Sequence, residues 1–350
     1  MKTITVNTKS SYDVFIGSGL IHRLSDFLPA KTDSQKVVII SDSNVWPLYG
    51  STITDQLRAM GFDTFHYVFP AGEEHKCAHT YLSIVEYLAT NHFSRSDLLI
   101  ALGGGVVGDI TGFVAATYLR GVSYIQVPTS LLSMVDSSVG GKTAIDLSSG
   151  KNLIGAFYQP KMVICDIATL ASLPQEIYRD GCAEVIKYGI LFDEALFSHL
   201  EVYGLSFDAE YVISRCIELK RDVVTVDEFD RSERQKLNLG HTIGHGIEAS
   251  SNYQITHGQA VAMGTAIIAQ FAEHRAICSN DIVIRIQNIL QKFGFNLDFF
   301  ISSDEIVPYV LSDKKRSGNF IKIIVPESIG KCSILPISIE MIPSIIKAGL

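Results

Sequence analysis

The sequence has no long apolar run. Its longest weakly charged stretch is GQAVAMGTAIIAQFA at 258–272, which is shorter than the roughly 20 residues that a helix needs to cross a bilayer. The N-terminal stretch MKTITVNTKSSYDVFIG has no continuous apolar core of the kind that signal peptides contain, and it alternates in the manner of a β-strand. Both absences argue against a membrane span and against export, and we therefore expect a cytoplasmic protein.

Excess positive charge and clustered cysteines are also missing. The chain has 29 lysines and arginines against 37 aspartates and glutamates, and its formal net charge is −8, which argues against a nucleic-acid or membrane-surface binder. The 6 cysteines form no C-x-x-C pair and no close group, so we expect buried, reduced thiols and no structural zinc site. A hydrophobic content of 47% with 19% charged residues indicates a well-packed globular protein.

The chain length of 350 residues exceeds what one ordinary core supports, which favours two domains. Up to residue 172, short β-rich runs alternate with helical stretches, a pattern typical of a parallel α/β sheet. From residue 173 onward, segments with helical periodicity dominate. The sequence therefore predicts an N-terminal α/β domain at 1–172 and a mainly α-helical domain at 173–350. The β-rich runs are KVVIISDSN at 36–44, FDTFHYVFPAGE at 62–73, DLLIALGGGVVGD at 97–109, SYIQVPTS at 123–130 and KMVICDIATL at 161–170.

The run GGGVVGD is the strongest nucleotide-binding signal. Gly103, Gly105 and Gly108 satisfy G-x-G-x-x-G directly after a strand-like run, and glycines there allow backbone N–H groups and a helix N-terminus to approach a pyrophosphate. The acidic residue expected about 20 positions later is absent, but Asp42 and Asn44, which follow the first long strand, offer ribose contacts. A merely structural turn is the alternative that the sequence leaves open.

A second glycine-rich loop, SMVDSSVGGKTAIDLSSGKN, carries Lys142 and Lys151 beside its glycines. Lysines in such a loop suit an anionic ligand with phosphate or carboxylate groups. For any single lysine, a solvated loop is the alternative. Other cations favour an anionic ligand when they are taken together, namely Lys187, Lys220, Arg234 and the lysines of DKK at 313–315.

The stretch LNLGHTIGHGIEASSNYQITHG contains three histidines. On a helix, His241 and His245 would lie one turn apart on one face. Arg234 and Asn238 would extend the same stripe, which we expect to face a cleft. His257 follows a polar break, SSNYQ, that allows the chain to fold back. Three histidines in this arrangement indicate a metal site, but the spacing leaves open which of them are ligands.

A carboxylate is the natural third ligand type. The segment RDGCAEVIKYGI places Glu184 and Lys187 three residues apart on an otherwise apolar helix. A buried glutamate needs a compensating charge, and either Lys187 or a metal ion supplies one, so a plain intrahelical ion pair is the alternative. Two histidines and a glutamate form a reasonable set for zinc, with one position open for substrate.

Motifs through most of the chain resemble those of the 3-dehydroquinate synthases, a family of sugar phosphate cyclases. They occur between residues 71 and 315 in the order AGEEHK, GGGVVGDITGF, YLRGV, QVPTSLLSMVDSSVGGKTAID, GKNLIGAFYQP, LPQEIYRDGCAEVIKYG, LNLGHTIGHGIE, THGQAV and DKK. The long central motifs are the most specific. One departure is Ser130, where the family usually has a second threonine after Thr129, and serine keeps the hydroxyl.

The resemblance implies an NAD-binding N-terminal domain and a metal- and substrate-binding C-terminal domain, with a zinc or cobalt ion held by Glu184, His241 and His257. It makes His245 a catalytic residue and not a ligand, and it implies a homodimer in which Arg120 reaches the partner's site. Around NAD it implies Asp42, Asn44, Glu73, Lys76, Gly104, Gly105, Val106, Asp109, Thr129, Ser130, Lys142, Lys151, Thr169 and Leu170. For substrate binding and catalysis it implies Asp136, Lys142, Asn152, Lys187, Lys220, Arg234, Asn238 and Lys314.

The implied reaction converts 3-deoxy-D-arabino-heptulosonate 7-phosphate into 3-dehydroquinate and phosphate, in the shikimate pathway to aromatic amino acids. NAD⁺ would accept the C5 hydride and return it, so that no net oxidation occurs, while His245 would move the C5 proton. Three alternatives remain: a sister cyclase whose substrate lacks the carboxylate, an NAD- and metal-dependent polyol dehydrogenase, and a non-catalytic binding protein. Lys220, Arg234 and Asn238 argue against the first, the whole cation set argues against the second, and the intact histidines with Glu184 argue against the third.

Overall fold

The computed structural model describes residues 1–28, 35–252, 254–298, 302–311, 316–317 and 319–348. The chain forms two compact units. The first unit contains residues 1–174 and 209–229, and the second contains residues 175–208 and 230–350. The sequence prediction assigned 209–229 to the C-terminal domain, whereas these residues belong to the first unit.

Strands and helices alternate through the first unit, and helices dominate the second. The strands, in chain order, are β1 Lys2–Val6, β2 Tyr12–Gly17, β3 Lys36–Asp42, β4 Asp63–Phe69, β5 Leu98–Gly103, β6 Ser123–Pro128, β7 Lys142–Leu147, β8 Gly150–Phe157, β9 Met162–Asp166, β10 Arg316–Ser317, β11 Phe320–Ser328 and β12 Lys331–Ser338. The α-helices are α1 Trp46–Ala59, α2 Ala78–Thr90, α3 Gly105–Thr117, α4 Gln175–Phe192, α5 Glu194–Tyr203, α6 Ala209–Val226, α7 His241–Ser250, α8 His257–His274, α9 Asn280–Lys292, α10 Ser303–Leu311 and α11 Ile342–Ala348.

A seven-stranded sheet organises the first unit, with the strand order β1-β2-β9-β6-β5-β3-β4. Neighbouring strands are parallel except for β1 with β2. The five β-rich runs of the sequence correspond to β3, β4, β5, β6 and β9. The parallel α/β class predicted for this part of the chain is confirmed.

The central strands are buried on both faces. In β3, Val38 and Ile40 belong to a core shared with helices α2 and α3, whereas Val37 and Ile39 belong to a second core shared with α1. A strand with two covered faces has no solvent side and therefore reads as a continuous apolar run. The VVII sequence of β3 follows from this position in the sheet.

Strands β3 and β5 lie side by side, but the chain leaves them in opposite directions. From β3 it continues to β4 on one side, and from β5 it continues to β6 on the other. Such a reversal is a topological switch point, where ligands bind outside the carboxyl ends of the strands. Asp42 ends β3 and Gly103 ends β5, so the SDSN turn and the first glycine loop flank this position.

The second glycine-rich segment is not a loop, and the sequence prediction was wrong on this point. After a π-helical turn at Ser133–Ser137, it forms the antiparallel hairpin of β7 and β8. A Cβ on Gly155 would lie 2.2 Å from the carbonyl oxygen of Thr143. Glycine at this position therefore allows the two strands to pack closely, and does not mark a flexible segment.

The second unit is mainly helical, as predicted for the C-terminal part of the chain. It also contains a small antiparallel sheet of β10, β11 and β12, which the sequence prediction missed. Helix α8 is buried along most of its length between other elements of this unit. Within the described part of the chain, no helix combines the length and apolar character needed to cross a membrane.

The predicted helical stripe of Arg234, Asn238, His241 and His245 does not exist as one helix. Glu233–Asn238 is a 3-10 segment, and α7 begins only at His241. Between them, Gly240 has φ 76, and a Cβ there would lie 2.3 Å from Oγ1 of Thr265 in α8. The close packing of α8 against this glycine explains why the chain bends before the first histidine.

Candidate functional site

Three side chains from three helices of the second unit form a cluster suited to a metal ion. Glu184 lies in the middle of α4, His241 is the first residue of α7, and His257 is the first residue of α8. Nε2 of His241 lies 3.5 Å from Oε1 of Glu184, and Nε2 of His257 lies 3.7 Å from the same oxygen. All three donor atoms lie within 4.8 Å of one another.

The start of α8 is fixed on α4 by Asp180, one turn before Glu184. The side chain of Thr256, which precedes α8, makes no capping bond to the helix and instead donates its hydroxyl to the Asp180 carboxylate. The same carboxylate oxygen accepts the backbone N–H of Gln259 at 3.2 Å. Asp180 therefore performs the capping role that a helix N-terminus requires, and it places His257 beside Glu184.

Both histidines of the cluster have an acceptor at the ring nitrogen that faces away from Glu184. Nδ1 of His241 lies 3.0 Å from the carbonyl oxygen of Leu239, and Nδ1 of His257 lies 3.2 Å from Oε2 of Glu248. In a neutral imidazole, an acceptor at Nδ1 favours the tautomer whose lone pair is on Nε2, and in a charged imidazole it leaves Nε2 as the nitrogen that loses its proton to a metal ion. Metal-bound histidines usually have such partners, so the donor set fits a divalent metal.

Burial and nearby charges act differently on the two histidines. Burial holds the pKa of His241 well below its ordinary value despite the attraction of Glu184, so its imidazole is neutral near pH 7. Burial also lowers the pKa of His257, but hydrogen bonds to Glu184 and Glu248 outweigh it and raise the pKa to about 10. A second cation, Lys187, is 2% exposed and forms an ion pair with Glu184. The predicted intrahelical pair is therefore present together with the histidine cluster.

The third histidine of the segment lies next to the cluster. His245 is exposed, and its ring centroid lies 5.4 Å from that of His241 and 6.2 Å from that of His257. It also belongs to a second potential ligand group with Glu248 and His257. Glu248 is 3% exposed and was missed from the sequence, although its position three residues after His245 on a mostly apolar helix was a usable signal.

The two polar residues predicted on the same stripe lie in the 3-10 segment before α7. Arg234 is 1% exposed, and Nδ2 of Asn238 donates to the carbonyl oxygen of Gln235 at 2.9 Å. Lys314 lies outside the described residues.

In the first unit, the structure brings together five of the predicted residues in one ion-pair network. Nζ of Lys76 lies 2.6 Å from Oδ2 of Asp109 and donates to Oδ1 of Asn152 at 2.6 Å. Oε1 of Glu73 lies 3.9 Å from Nζ of Lys76 and 4.0 Å from Nζ of Lys151. Burial lowers the pKa of Lys76, but the carboxylates of Asp109 and Glu73 outweigh burial and leave its pKa raised.

A second ion pair of the first unit joins α6 to the π-helical turn. Nζ of Lys220 lies 2.7 Å from Oδ1 of Asp136 and also donates to the Asp136 carbonyl oxygen at 2.5 Å. Lys220 is 5% exposed. This pair links α6, a helix from a distant part of the sequence, to the rest of the first unit.

Most other predicted NAD residues follow the carboxyl ends of parallel strands. Asp42 closes a turn after β3 by accepting the backbone N–H groups of Asn44 and Val45 at 2.8 and 2.9 Å. The remaining residues of this group are Gly104, Gly105 and Val106 after β5, Thr129 and Ser130 after β6, and Thr169 and Leu170 after β9. Two predicted cations lie elsewhere on the first unit: Lys142 is exposed at the start of β7, and Arg120 is exposed in a tight turn after α3 with φ 65.

Comparison with known proteins gives consistent results. The family profile described as 3-dehydroquinate synthase N-terminal matches residues 66–180, and the profile described as 3-dehydroquinate synthase C-terminal matches residues 181–316. The 3-dehydroquinate synthase of Clostridium acetobutylicum is 42% identical over 342 residues, which cover 95% of this chain and 96% of the relative. That of Vibrio atlanticus is 42% identical over 96% of this chain and 95% of the relative.

One solved structure is similar over the full length of both chains. It is a 2-deoxy-scyllo-inosose synthase complexed with carbaglucose-6-phosphate, NAD⁺ and Co²⁺, with a TM-score of 0.91, 26% sequence identity and 100% coverage of each chain. Sequence identity is higher to the 3-dehydroquinate synthases, at 42%, than to this 2-deoxy-scyllo-inosose synthase, at 26%. Both family profiles that match the chain are also those of 3-dehydroquinate synthase. The chain belongs to the 3-dehydroquinate synthase family.

Proposed function

We propose that this chain catalyses the conversion of 3-deoxy-D-arabino-heptulosonate 7-phosphate into 3-dehydroquinate and phosphate. Support comes from the 42% identity to 3-dehydroquinate synthases over nearly the whole chain. The structural observation that carries the proposal is the cluster of Glu184, His241 and His257, whose donor atoms converge from three helices. A protein that had kept the fold for binding alone would not require this set.

Glu184, His241 and His257 hold a divalent zinc or cobalt ion in the proposed enzyme. Two imidazoles and one carboxylate are the ligands of many catalytic zinc sites, which leave a position open for substrate. The ion, when bound, polarises a hydroxyl group of the substrate. Similarity to a synthase solved with Co²⁺ supports the assignment.

NAD binds in the first unit at the switch point between β3 and β5. The N-terminus of α3 and the glycines before it offer backbone N–H groups to a pyrophosphate, and the SDSN turn offers Asp42 to a ribose. A Cβ on Gly105 would lie 3.2 Å from Oγ of Ser137, so glycine keeps this loop closely packed. NAD⁺ supplies the acceptor for the transferred hydride, and the similar synthase was solved with the same cofactor.

The substrate carries a carboxylate and a phosphate, and cations that suit such groups occur in each unit taken by itself. In the second unit, Lys187 and Arg234 are buried, which strengthens their attraction for an anion. In the first unit, the proposed substrate residues are Asp136, Lys142, Asn152 and Lys220. His245 is exposed beside the cluster, and a histidine suits proton transfer in both directions near neutral pH.

Two further features belong to the proposal. Arg120 is exposed at a tight turn of the first unit, where a second chain can reach it. The proposed enzyme is a homodimer in which this arginine acts in the site of the partner. It works in the cytoplasm.

A single assay tests the proposed reaction. Purified protein is incubated with the heptulosonate phosphate and a small amount of NAD⁺, and released phosphate is measured together with the absorbance of reduced nicotinamide. We expect phosphate to exceed NAD⁺ many-fold without accumulation of NADH, because each hydride is returned. Formation of one NADH per substrate consumed would instead identify a dehydrogenase.

Substrate and metal controls complete this test. Glucose 6-phosphate, a sugar phosphate without a carboxylate, is expected to release no phosphate, and its turnover would favour the sister cyclase. A chelator should abolish activity, and added zinc or cobalt should restore it. Full activity in metal-free protein would remove Glu184, His241 and His257 from the ligand role.

A further inference from the structure

We infer that Glu248 is a positioning residue for the metal centre and acts through His257. Its carboxylate would accept the Nδ1 proton of His257 and hold the opposite nitrogen, Nε2, toward Glu184. This inference rests on the metal site of the proposed function, but it concerns a residue outside the ligand set.

The two carboxylates lie on opposite sides of one imidazole ring. Oε2 of Glu248 lies 3.2 Å from Nδ1 of His257, and Oε1 of Glu184 lies 3.7 Å from Nε2 of the same ring. A carboxylate accepts hydrogen bonds and does not donate them when it is ionised, so Glu248 holds a proton on Nδ1, and Nε2 is the nitrogen that gives up its proton when a metal ion binds. His257 is thereby prepared as a ligand through Nε2 only.

The burial of Glu248 indicates that its carboxylate has a specific hydrogen-bond partner. The residue is 3% exposed in helix α7, and a buried carboxylate is costly unless it has hydrogen-bond partners. Its contact with His257 bridges the turn between α7 and α8, which are separated in sequence by residues 251–256. A hydrogen bond across this turn fixes the imidazole orientation more directly than backbone packing does.

The competing interpretation makes Glu248 itself a ligand, together with His245 and His257. Nδ1 of His257 faces Glu248 and Nε2 faces Glu184, so an ion beside Glu248 and an ion beside Glu184 would meet different nitrogens of the ring. His241 decides between them, because its Nδ1 also faces an acceptor, the Leu239 carbonyl, while its Nε2 faces Glu184. In both His241 and His257, Nδ1 meets a hydrogen-bond acceptor and Nε2 faces Glu184. This shared arrangement indicates an ion beside Glu184 and an orienting role for Glu248.

The test measures metal affinity without substrate or NAD. Wild type, Glu248→Gln and Glu248→Ala are titrated with zinc against a competing chelator, and the absorption spectrum of the cobalt-loaded proteins is recorded. Loss of a supporting partner typically lowers metal affinity by about 10–100-fold. We expect about 10-fold for glutamine, up to 100-fold for alanine, and one ion per chain in both, with an altered cobalt spectrum. Glu273→Gln, at the far end of α8, is the matched control and should bind as wild type does.

The remaining outcomes separate this inference from the proposed function. Unchanged affinity and spectrum in Glu248→Gln and Glu248→Ala would overturn the positioning role alone. Retained binding in Glu184→Gln with complete loss in Glu248→Ala would make Glu248 a ligand and also overturn it. If the alanine variant does not fold, the glutamine variant, which has nearly the same shape, decides. Wild-type protein that binds no ion would instead refute the proposed metal enzyme.

Discussion

Replacing Gly258 by alanine should disrupt the metal centre by a measurable displacement. A Cβ at Gly258 would lie 2.0 Å from the carbonyl oxygen of Asp180 and 2.7 Å from its carbonyl carbon, whereas real Cβ contacts essentially never fall below 3.0 Å. The obstacle is backbone of α4, which does not move aside as a flexible side chain would. The start of α8 and this part of α4 must therefore separate by at least the difference between 2.0 and 3.0 Å.

That displacement would increase the distance between two of the proposed metal ligands, His257 and Glu184. Gly258 follows His257 directly, and Asp180 lies one helical turn before Glu184, so moving Gly258 away from Asp180 also moves His257 away from Glu184. Metal–ligand distances tolerate only about 0.2 Å, and overpacking of this kind costs about 1–3 kcal/mol. We expect zinc affinity to fall by about 100-fold or more, beyond what loss of a supporting partner usually causes.

Chelator competition measures the affinity, and circular dichroism confirms that the variant is folded. Gly189→Ala is the control, because its Cβ would meet Cα and Cβ of Phe197 at 3.1 Å, a contact that a shift of a few tenths of an ångström relieves. It should lower thermal stability without changing zinc affinity. If folded Gly258→Ala protein binds zinc as tightly as wild type, the docking of α8 on α4 does not set the position of His257, and the reasoning is wrong.

Three further predictions concern the other proposed roles. His241→Ala should lose bound metal, whereas His245→Ala should keep the metal and lose about 10²–10⁴-fold in rate. Metal analysis of both purified proteins tests this, and metal-free His245→Ala protein would mean that His241 and His245 bind the ion together. When the Arg120→Ala and His245→Ala proteins are refolded together, about half of the dimers are hybrids, and each hybrid has one intact site of two. The mixture should therefore recover roughly a quarter of wild-type activity. Inactive hybrids would mean that Arg120 acts within its own chain. Lys76→Met should destabilise the protein by roughly 3–5 kcal/mol in thermal melts, because it leaves the Asp109 carboxylate without its cation. The double variant Lys76→Met with Asp109→Leu should regain part of this loss. If Lys76→Met is as stable as wild type, the ion pair does not stabilise the protein.

The sheet of the first unit was predictable because its determinants are local. Strands such as β3 and β5 are covered on both faces, and their apolar runs are visible without knowledge of their neighbours. The β7–β8 hairpin was not recognised, since its glycines suggested a loop. Position 155 requires glycine because Thr143 of the opposite strand approaches it closely. The residues around Gly155 do not indicate that this strand will pair with it.

The ligand types were predictable, but their arrangement was not. Histidine spacing and a glutamate in an apolar helix indicated a metal site, whereas the helical stripe before His241 was wrong because α8 forces the bend at Gly240. The contact between Glu248 and His257 spans nine residues and a turn. Periodicity within one helix carries no information about which ring nitrogen meets a carboxylate on another.

Helix α6 gives the chain an unusual order of assembly. Residues 175–208 belong to the second unit, yet the first unit is complete only when residues up to 229 are present, 55 positions after residue 174. At about 5–20 residues per second, synthesis of this stretch takes roughly 3–11 s. During that interval the residues that α6 will cover, which include β1 and the π-helical turn with Asp136, remain open to solvent. A fragment that ends near residue 174 would keep this surface exposed permanently, which favours aggregation of truncated chains over an independently folded NAD-binding piece.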